Sequence, residues 1–224
     1  MSTVDDTAAS AAPGELVLVR HGETAWSRAG RHTGRSDLPL TPDGEEQARA
    51  TGRALAGREF ALVLTSPLTR ARRTAELAGY GGAEVEPDLA EWDYGPVEGL
   101  TRVEVADALG RGWAALTDGV RVPLTVSGTD DLAPDERNPE PGEGELIEEV
   151  AARAARVIAR AETTLLDGGD VLLVAHGHLL RILTSVWLGL SPEVAERLVL
   201  GTAARCVLGY DRGARSLVHW NVAP

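Results

Sequence analysis

Two apolar runs far apart in this chain stop in the same way. Leu16-Val17-Leu18-Val19 runs into Arg20-His21-Gly22-Glu23, and Val171-Leu172-Leu173-Val174-Ala175 runs into His176-Gly177-His178. Short continuous apolar runs of this kind read as buried strands. Open α/β folds place their ligands at the carboxyl edge of the sheet. Each run therefore carries an imidazole and a flexible turn to that edge. One His-Gly after a strand is usually a turn with a polar residue in it. Two of them predict a single site built from two histidines.

Between the two runs, apolar stretches alternate with helical patterns. This alternation predicts an α/β fold, a three-layer α/β/α sandwich around a mostly parallel central sheet. Strands are expected over 16–20, 60–65, 83–85 and 171–175, and near 206–210 and 216–220. The last two form a hairpin turned by Asp211-Arg212-Gly213. Thr41-Pro42 opens a helix to about Ala56, closed by Gly57, with threonine as N-cap and proline at the first helical position. Ser66-Pro67 repeats the device for a helix through Ala78, and Ser191-Pro192-Glu193 uses it again. Further helices are expected over 101–109, with 113–116 extending or following it, and over 145–166 and about 179–188. The stretch 118–144 is rich in Gly, Asp, Pro and Asn and lacks periodicity, which predicts a lid or insertion. Residues 1–14 read as a disordered leader, and 15–224 as one domain.

Composition narrows the function. The net charge of −12 argues against a nucleic-acid surface. It does not exclude an anionic substrate, because binding depends on the local field of a cleft. All 22 basic residues are Arg. Cys206 is the single cysteine, which excludes an intramolecular disulfide and a cysteine zinc site. No segment has the features of a signal peptide or the ~18 apolar residues of a membrane span. A soluble cytoplasmic protein is the expectation.

Phosphoryl transfer to an imidazole needs a neutral ring nitrogen, positive groups around the phosphoryl oxygens, and an acid for the departing alkoxide. His21 is the candidate nucleophile, with a backbone carbonyl able to fix its tautomer. Arg20 and Arg70 are candidate phosphate ligands, and His176 a second imidazole. Glu91, in Leu89-Ala90-Glu91-Trp92-Asp93-Tyr94-Gly95, is the acid candidate, with Trp92 and Tyr94 placed to desolvate it. Asp93 competes for that role. A metal site from the five histidines is the weaker alternative.

These motifs resemble the histidine phosphatase superfamily, the phosphoglycerate mutase-like family. The matches are Arg20-His21-Gly22-Glu23-Thr24, the segment from Asp37 through Thr41-Pro42 to Ala48, Thr65 to Ala75 around Arg70, Glu91 ahead of Gly95 and Glu98-Gly99, and His176-Gly177. They run in family order over about residues 15–220. The resemblance implies that His21 is transiently phosphorylated and Glu91 donates the proton. It implies a phosphate pocket of Arg20, Arg70, His176 and Gly177, with Ser27, Thr33 and Gly34 touching the phosphoryl group or substrate. It implies no metal and no cofactor, and a small phosphorylated substrate, with no nucleic-acid or membrane partner.

Members that are mutases carry Glu-Arg-x-Tyr-Gly after the acid and an Arg-Arg pair on a later insertion. Here Trp92 stands at the arginine position, and no Arg-Arg pair occurs between Leu100 and Glu145. The insertion carries Asp130, Asp131, Asp135, Glu136, Glu140 and Glu143, an acidic lid that would repel a sugar-acid phosphate. The combination of Glu91-Trp92-Asp93-Tyr94-Gly95 with Trp26-Ser27-x-x-Gly30-x-x-Thr33-Gly34 resembles the acid phosphatase and sedoheptulose-bisphosphatase-type branch. A phosphatase acting on small metabolites, including sugar phosphates, is the expected function. A phosphoglycerate mutase and an idle phosphate-binding regulatory protein are the alternatives.

Overall fold

The structure of the chain, a computed structural model, describes residues 12–129 and 142–224. The expected leader lies outside the described residues except at its end. There Gly14 already belongs to the domain, donating its N–H to Leu165 O at 2.8 Å. Five of the acidic lid residues, Asp130, Asp131, Asp135, Glu136 and Glu140, also lie outside the described residues.

Six strands form one sheet in the order β3-β2-β4-β1-β5-β6. They are β1 (Leu16–Arg20), β2 (Leu62–Thr65), β3 (Glu84–Val85), β4 (Val171–Ala175), β5 (Arg205–Asp211) and β6 (Ala214–Val222). The first four are parallel neighbours, and β5 and β6 add an antiparallel edge. Side chains alternate across β1 and β4, so each strand feeds two cores. Leu16, Leu18, Val171 and Leu173 pack on one face, against helices α6 (Ile147–Leu166) and α7 (Gly177–Trp187). Val17, Val19, Leu172 and Val174 pack on the other with Leu55 and Ala75, beside α2 (Pro42–Ala54) and α3 (Thr69–Leu77). The expected three-layer sandwich results.

Register explains why distant motifs meet. Arg20 pairs with Ala175 in β4, and Thr65 pairs with Val174 from the other side. The ladder continues past the strand ends, with His21 N donating to Ala175 O at 2.9 Å and Ser66 N to Val174 O at 3.0 Å. His21, His176 and Ser66 therefore leave three adjacent parallel strands at one level. Gly22 lets the chain turn there: a Cβ on it would meet Gly44 O at 2.3 Å, at the start of α2.

Several local expectations need correction. Ser66 does not cap a helix. α3 starts at Thr69 with Leu68 as N-cap, and Ser66 Oγ accepts from Leu68 N at 3.2 Å while contacting His176. Arg70 is thus the second residue of its helix rather than one turn in. Ser191 makes no side-chain cap either, and it leads into a 3-10 turn over Pro192–Arg197. α7 begins at Gly177, two residues earlier than expected, directly on the end of β4. The sequence His-Gly-His is poor in helix propensity, but the strand end sets its backbone. Helices α4 (Arg102–Leu109) and α5 (Ala115–Asp118) fall near the expected 101–109 and 113–116, whereas a short helix α1 (Ala25–Ala29) was not expected. Thr24 and Ser27 cap it reciprocally, and Gly30 closes it with φ 72°. α6 starts at Ile147 because Glu145 stays outside it, paired with Arg153 at 2.9 Å. Among the described residues no helix is long and apolar enough to cross a membrane.

Candidate active site

A cavity of about 180 Å³ opens at the carboxyl edge of the sheet. From the expected site it is lined by Arg20, His21, Ser27, Thr33, Glu91 and Gly177. Its wall also carries Arg31 and Arg181, so three guanidiniums face one carboxylate. That local balance is opposite to the net charge of −12.

The His21 ring is 4% exposed. Its Nδ1 lies 2.7 Å from Gly22 O, so Nδ1 carries the proton and donates it to that carbonyl. Nε2 keeps its lone pair. Burial holds the imidazole well below the usual histidine range, and the charges of Arg70 and Arg20 push it further down. The ring is neutral at neutral pH.

Arg20 donates from Nη1 to Leu200 O at 2.6 Å. Its Nε is buried and has no hydrogen-bond partner among the described residues. A buried guanidinium N–H without an acceptor points to an anion that belongs there. Gly177 makes room for it, since a Cβ at that position would lie 3.3 Å from the Arg20 Nε.

Glu91 stands where α7 begins. Its Oε1 accepts from Trp92 N at 3.0 Å and Leu179 N at 2.9 Å, and its Oε2 from His178 N at 3.1 Å. The amides of His178 and Leu179 belong to the orphan donors of a helix N-terminus. All three fix the carboxyl on the cavity wall, with Trp92 wholly buried beside it. Asp93, its competitor, caps a turn instead, accepting from Gly95 N at 3.0 Å. It does not line the cavity.

Arg70 and His176 lie behind the cavity wall, both at 0% exposure. His176 faces His21 with ring centroids 5.2 Å apart. Arg70 Nε donates to His176 Nδ1 at 3.2 Å, which places the ring proton on Nε2, 2.6 Å from Ser66 Oγ. Burial and the Arg70 charge hold His176 neutral, well below the usual range. Gly34 is also beneath the surface, and Ser27 spends its hydroxyl on capping Thr24 while lining the cavity.

The sequence reading missed part of the wall. His32, His178, Arg181 and Leu200 all line it, alongside Tyr94, which was expected next to Glu91. The Tyr94 hydroxyl bonds His178 Nδ1, and the His32 and His178 rings stack at 6.1 Å and 7°. His178 had a signal, as the last residue of the His-Gly-His triplet. Leu200 had none, because it arrives from a distant loop.

Comparison with known proteins places the chain in a family. The model of the histidine phosphatase superfamily (branch 1) matches residues 16–128 and 125–223. An acid phosphatase of Mycobacterium tuberculosis is 35% identical, over 90% of this chain and 89% of its own. A sedoheptulose 1,7-bisphosphatase of Saccharomyces cerevisiae is 32% identical, over 79% of this chain and 68% of its own. Bacterial phosphoglycerate mutases match too. The solved structure of the Mycobacterium tuberculosis open reading frame Rv3214 superposes with a TM-score of 0.80 at 34% identity, covering 94% of this chain and 98% of that one. With matches along nearly the whole described domain, the chain belongs to the histidine phosphatase superfamily.

Proposed function

We propose that this chain is a phosphatase that hydrolyses small phosphate monoesters through a phosphohistidine at His21. The observation that carries the reading is a pair: a neutral imidazole with a free Nε2, and the partnerless buried Nε of Arg20 beside it. One is a nucleophile, and the other is half of an anion site.

The reaction follows from these placements. His21 Nε2 attacks phosphorus as the bond to the ester oxygen breaks. Glu91, fixed on the cavity wall, delivers a proton to the departing alkoxide. The Glu91 carboxylate then takes a proton from water, whose oxygen displaces phosphate from the imidazole and restores the ring. Arg20 and the backbone at Gly177 hold the phosphoryl oxygens. Arg70 acts from behind the wall, adding positive charge and keeping His21 in its neutral form, while the neutral His176 ring packs between them. Guanidinium groups supply the charge that a metal would otherwise bring.

Hydrolysis is favoured over a mutase reaction by Trp92. It fills the position of the mutase arginine, and its Nε1 donates to Glu145 O at 2.9 Å inside the core. The relatives named acid phosphatase and sedoheptulose bisphosphatase point the same way. Phosphate release from p-nitrophenyl phosphate, with His21→Ala as control and EDTA present, tests the reading. Release must exceed the variant's and survive the chelator. A screen of sugar phosphates, phosphoglycerates and nucleotides by kcat/KM then identifies the substrate.

A further inference from the structure

Glu98 takes no part in the chemistry above, yet it is a carboxylate at 3% exposure, packed against the backbone of Gly34 and Ser36. Its Oε1 accepts from Gly34 N at 2.9 Å and Ser36 N at 3.0 Å, and its Oε2 from Gly34 N at 3.1 Å. On the far side of the same loop lies the buried guanidinium of Arg70. It donates to Ser36 O at 2.8 Å, Gly34 O at 2.9 Å and Thr33 O at 3.0 Å, and to His176 Nδ1 at 3.2 Å. The two opposite charges meet through backbone rather than through an ion pair.

The Thr33–Gly34 peptide is the shortest link. Its N–H points at Glu98 and its C=O at Arg70, and no peptide bond among the described residues is cis. The peptide dipole is therefore aligned from carboxylate to guanidinium, so each charge strengthens the other's hydrogen bond. Ser36 also touches both groups, through two successive peptides, donating its N–H to Glu98 and accepting from Arg70 at its C=O. A direct carboxylate fork would occupy the edge of the guanidinium and turn it away from His176. The indirect link compensates the buried charge and leaves Arg70 Nε for the imidazole. Gly34 makes it possible, because a Cβ there would lie 2.6 Å from Glu98 Oε2 and 2.5 Å from Trp92 O. The Glu98 and Arg70 charges also favour each other's ionised forms against the cost of burial.

We propose that Glu98 is a positioning residue for the phosphoryl pocket, acting across the Thr33–Gly34 peptide to hold Arg70, and through Arg70 the His176 ring. The inference rests on reading the site as a phosphoryl pocket. It gives Gly34 a role different from touching substrate: this glycine admits the carboxylate.

The test measures orthovanadate binding by calorimetry, which needs no turnover, alongside kcat and KM on p-nitrophenyl phosphate. Glu98→Gln keeps the shape and removes the charge. It should weaken vanadate binding about tenfold and lower kcat/KM by a similar factor, with partial recovery in Glu98→Asp. In an Arg70→Gln background the same substitution should add less than about twofold, because the path is already cut. Equal losses in both backgrounds overturn the proposal. So does binding within about twofold of wild type in Glu98→Gln, or a fall in kcat that only tracks the folded fraction with KM unchanged. If Glu98→Gln does not fold, Gly34→Ala replaces it. This substitution keeps the charge but forces the carboxylate off the peptide, and unchanged vanadate affinity then overturns the proposal. A wild-type chain that binds no vanadate sinks the pocket reading itself.

Discussion

His21 and His176 leave neighbouring parallel strands at one level of the sheet, each followed by glycine, yet their rings end in opposite chemical situations. His21 lines the cavity and commits only Nδ1, to the carbonyl of the next residue. His176 is sealed, with Arg70 on one nitrogen and Ser66 on the other. Identical local motifs thus yield one ring with a free nitrogen and one ring held at both nitrogens. What separates them is the number of partners the fold brings to each ring.

The largest effect should come from exchanging the fates of the two rings. His21→Ala should cut turnover at least about 10⁴-fold and abolish acid-labile ³²P incorporation. His176→Ala should slow turnover by about 10²- to 10³-fold but still take up label. Label retained in His21→Ala, or lost only in His176→Ala, would reverse the assignment. Glu91→Gln comes next. Alkyl phosphates should slow by about 10²- to 10⁴-fold and p-nitrophenyl phosphate far less, because nitrophenolate leaves without a proton. Equal losses on both substrates would remove Glu91 from the donor role.

A smaller effect concerns stability and pH. Folding holds His21, His32, His176 and His178 below the usual histidine value, in each case first through burial. The unfolded chain therefore binds more protons below about pH 6.5, and stability present at neutral pH is lost as pH falls toward the folded values. Glu98 works in the opposite direction, since burial raises its carboxyl and its stability contribution is lost as pH rises through that value. It is one group against four. Thermal melts should show Tm falling steadily below about pH 6.5, and a flat Tm from about pH 7.5 to 5 would contradict the neutral, buried rings. The smallest change is Ser66→Ala. It leaves His176 Nε2–H without its acceptor, at a cost of about 1–3 kcal/mol in stability. Activity should fall only modestly if His176 is a support. A loss as large as that of His176→Ala would make Ser66 itself a participant.

Much of this was legible in the chain. The parallel strands, the Thr41-Pro42 helix start and the meeting of His21 with His176 all follow from local patterns. So does the tautomer of His21, because its partner is the adjacent carbonyl. The choice of Glu91 over Asp93 was not legible. It depends on three amides, two of which come from a helix that begins 86 residues later in the chain. Nor was Ser66 readable as a partner of His176, since Ser-Pro is an equally good helix cap. The sealing of Arg70 depended on carbonyls at 33, 34 and 36 turning toward one point.

Order along the chain, then, determined which groups reach the edge of the sheet, because strand period and capping chemistry act over a few residues. Only the tertiary structure decided which of them face the cavity and which face each other. Burial and partner count are properties of packing, and they draw on residues that are remote in sequence. The link from Glu98 to Arg70 is the clearest instance: neither side chain touches the other, and only a folded loop places a peptide between them.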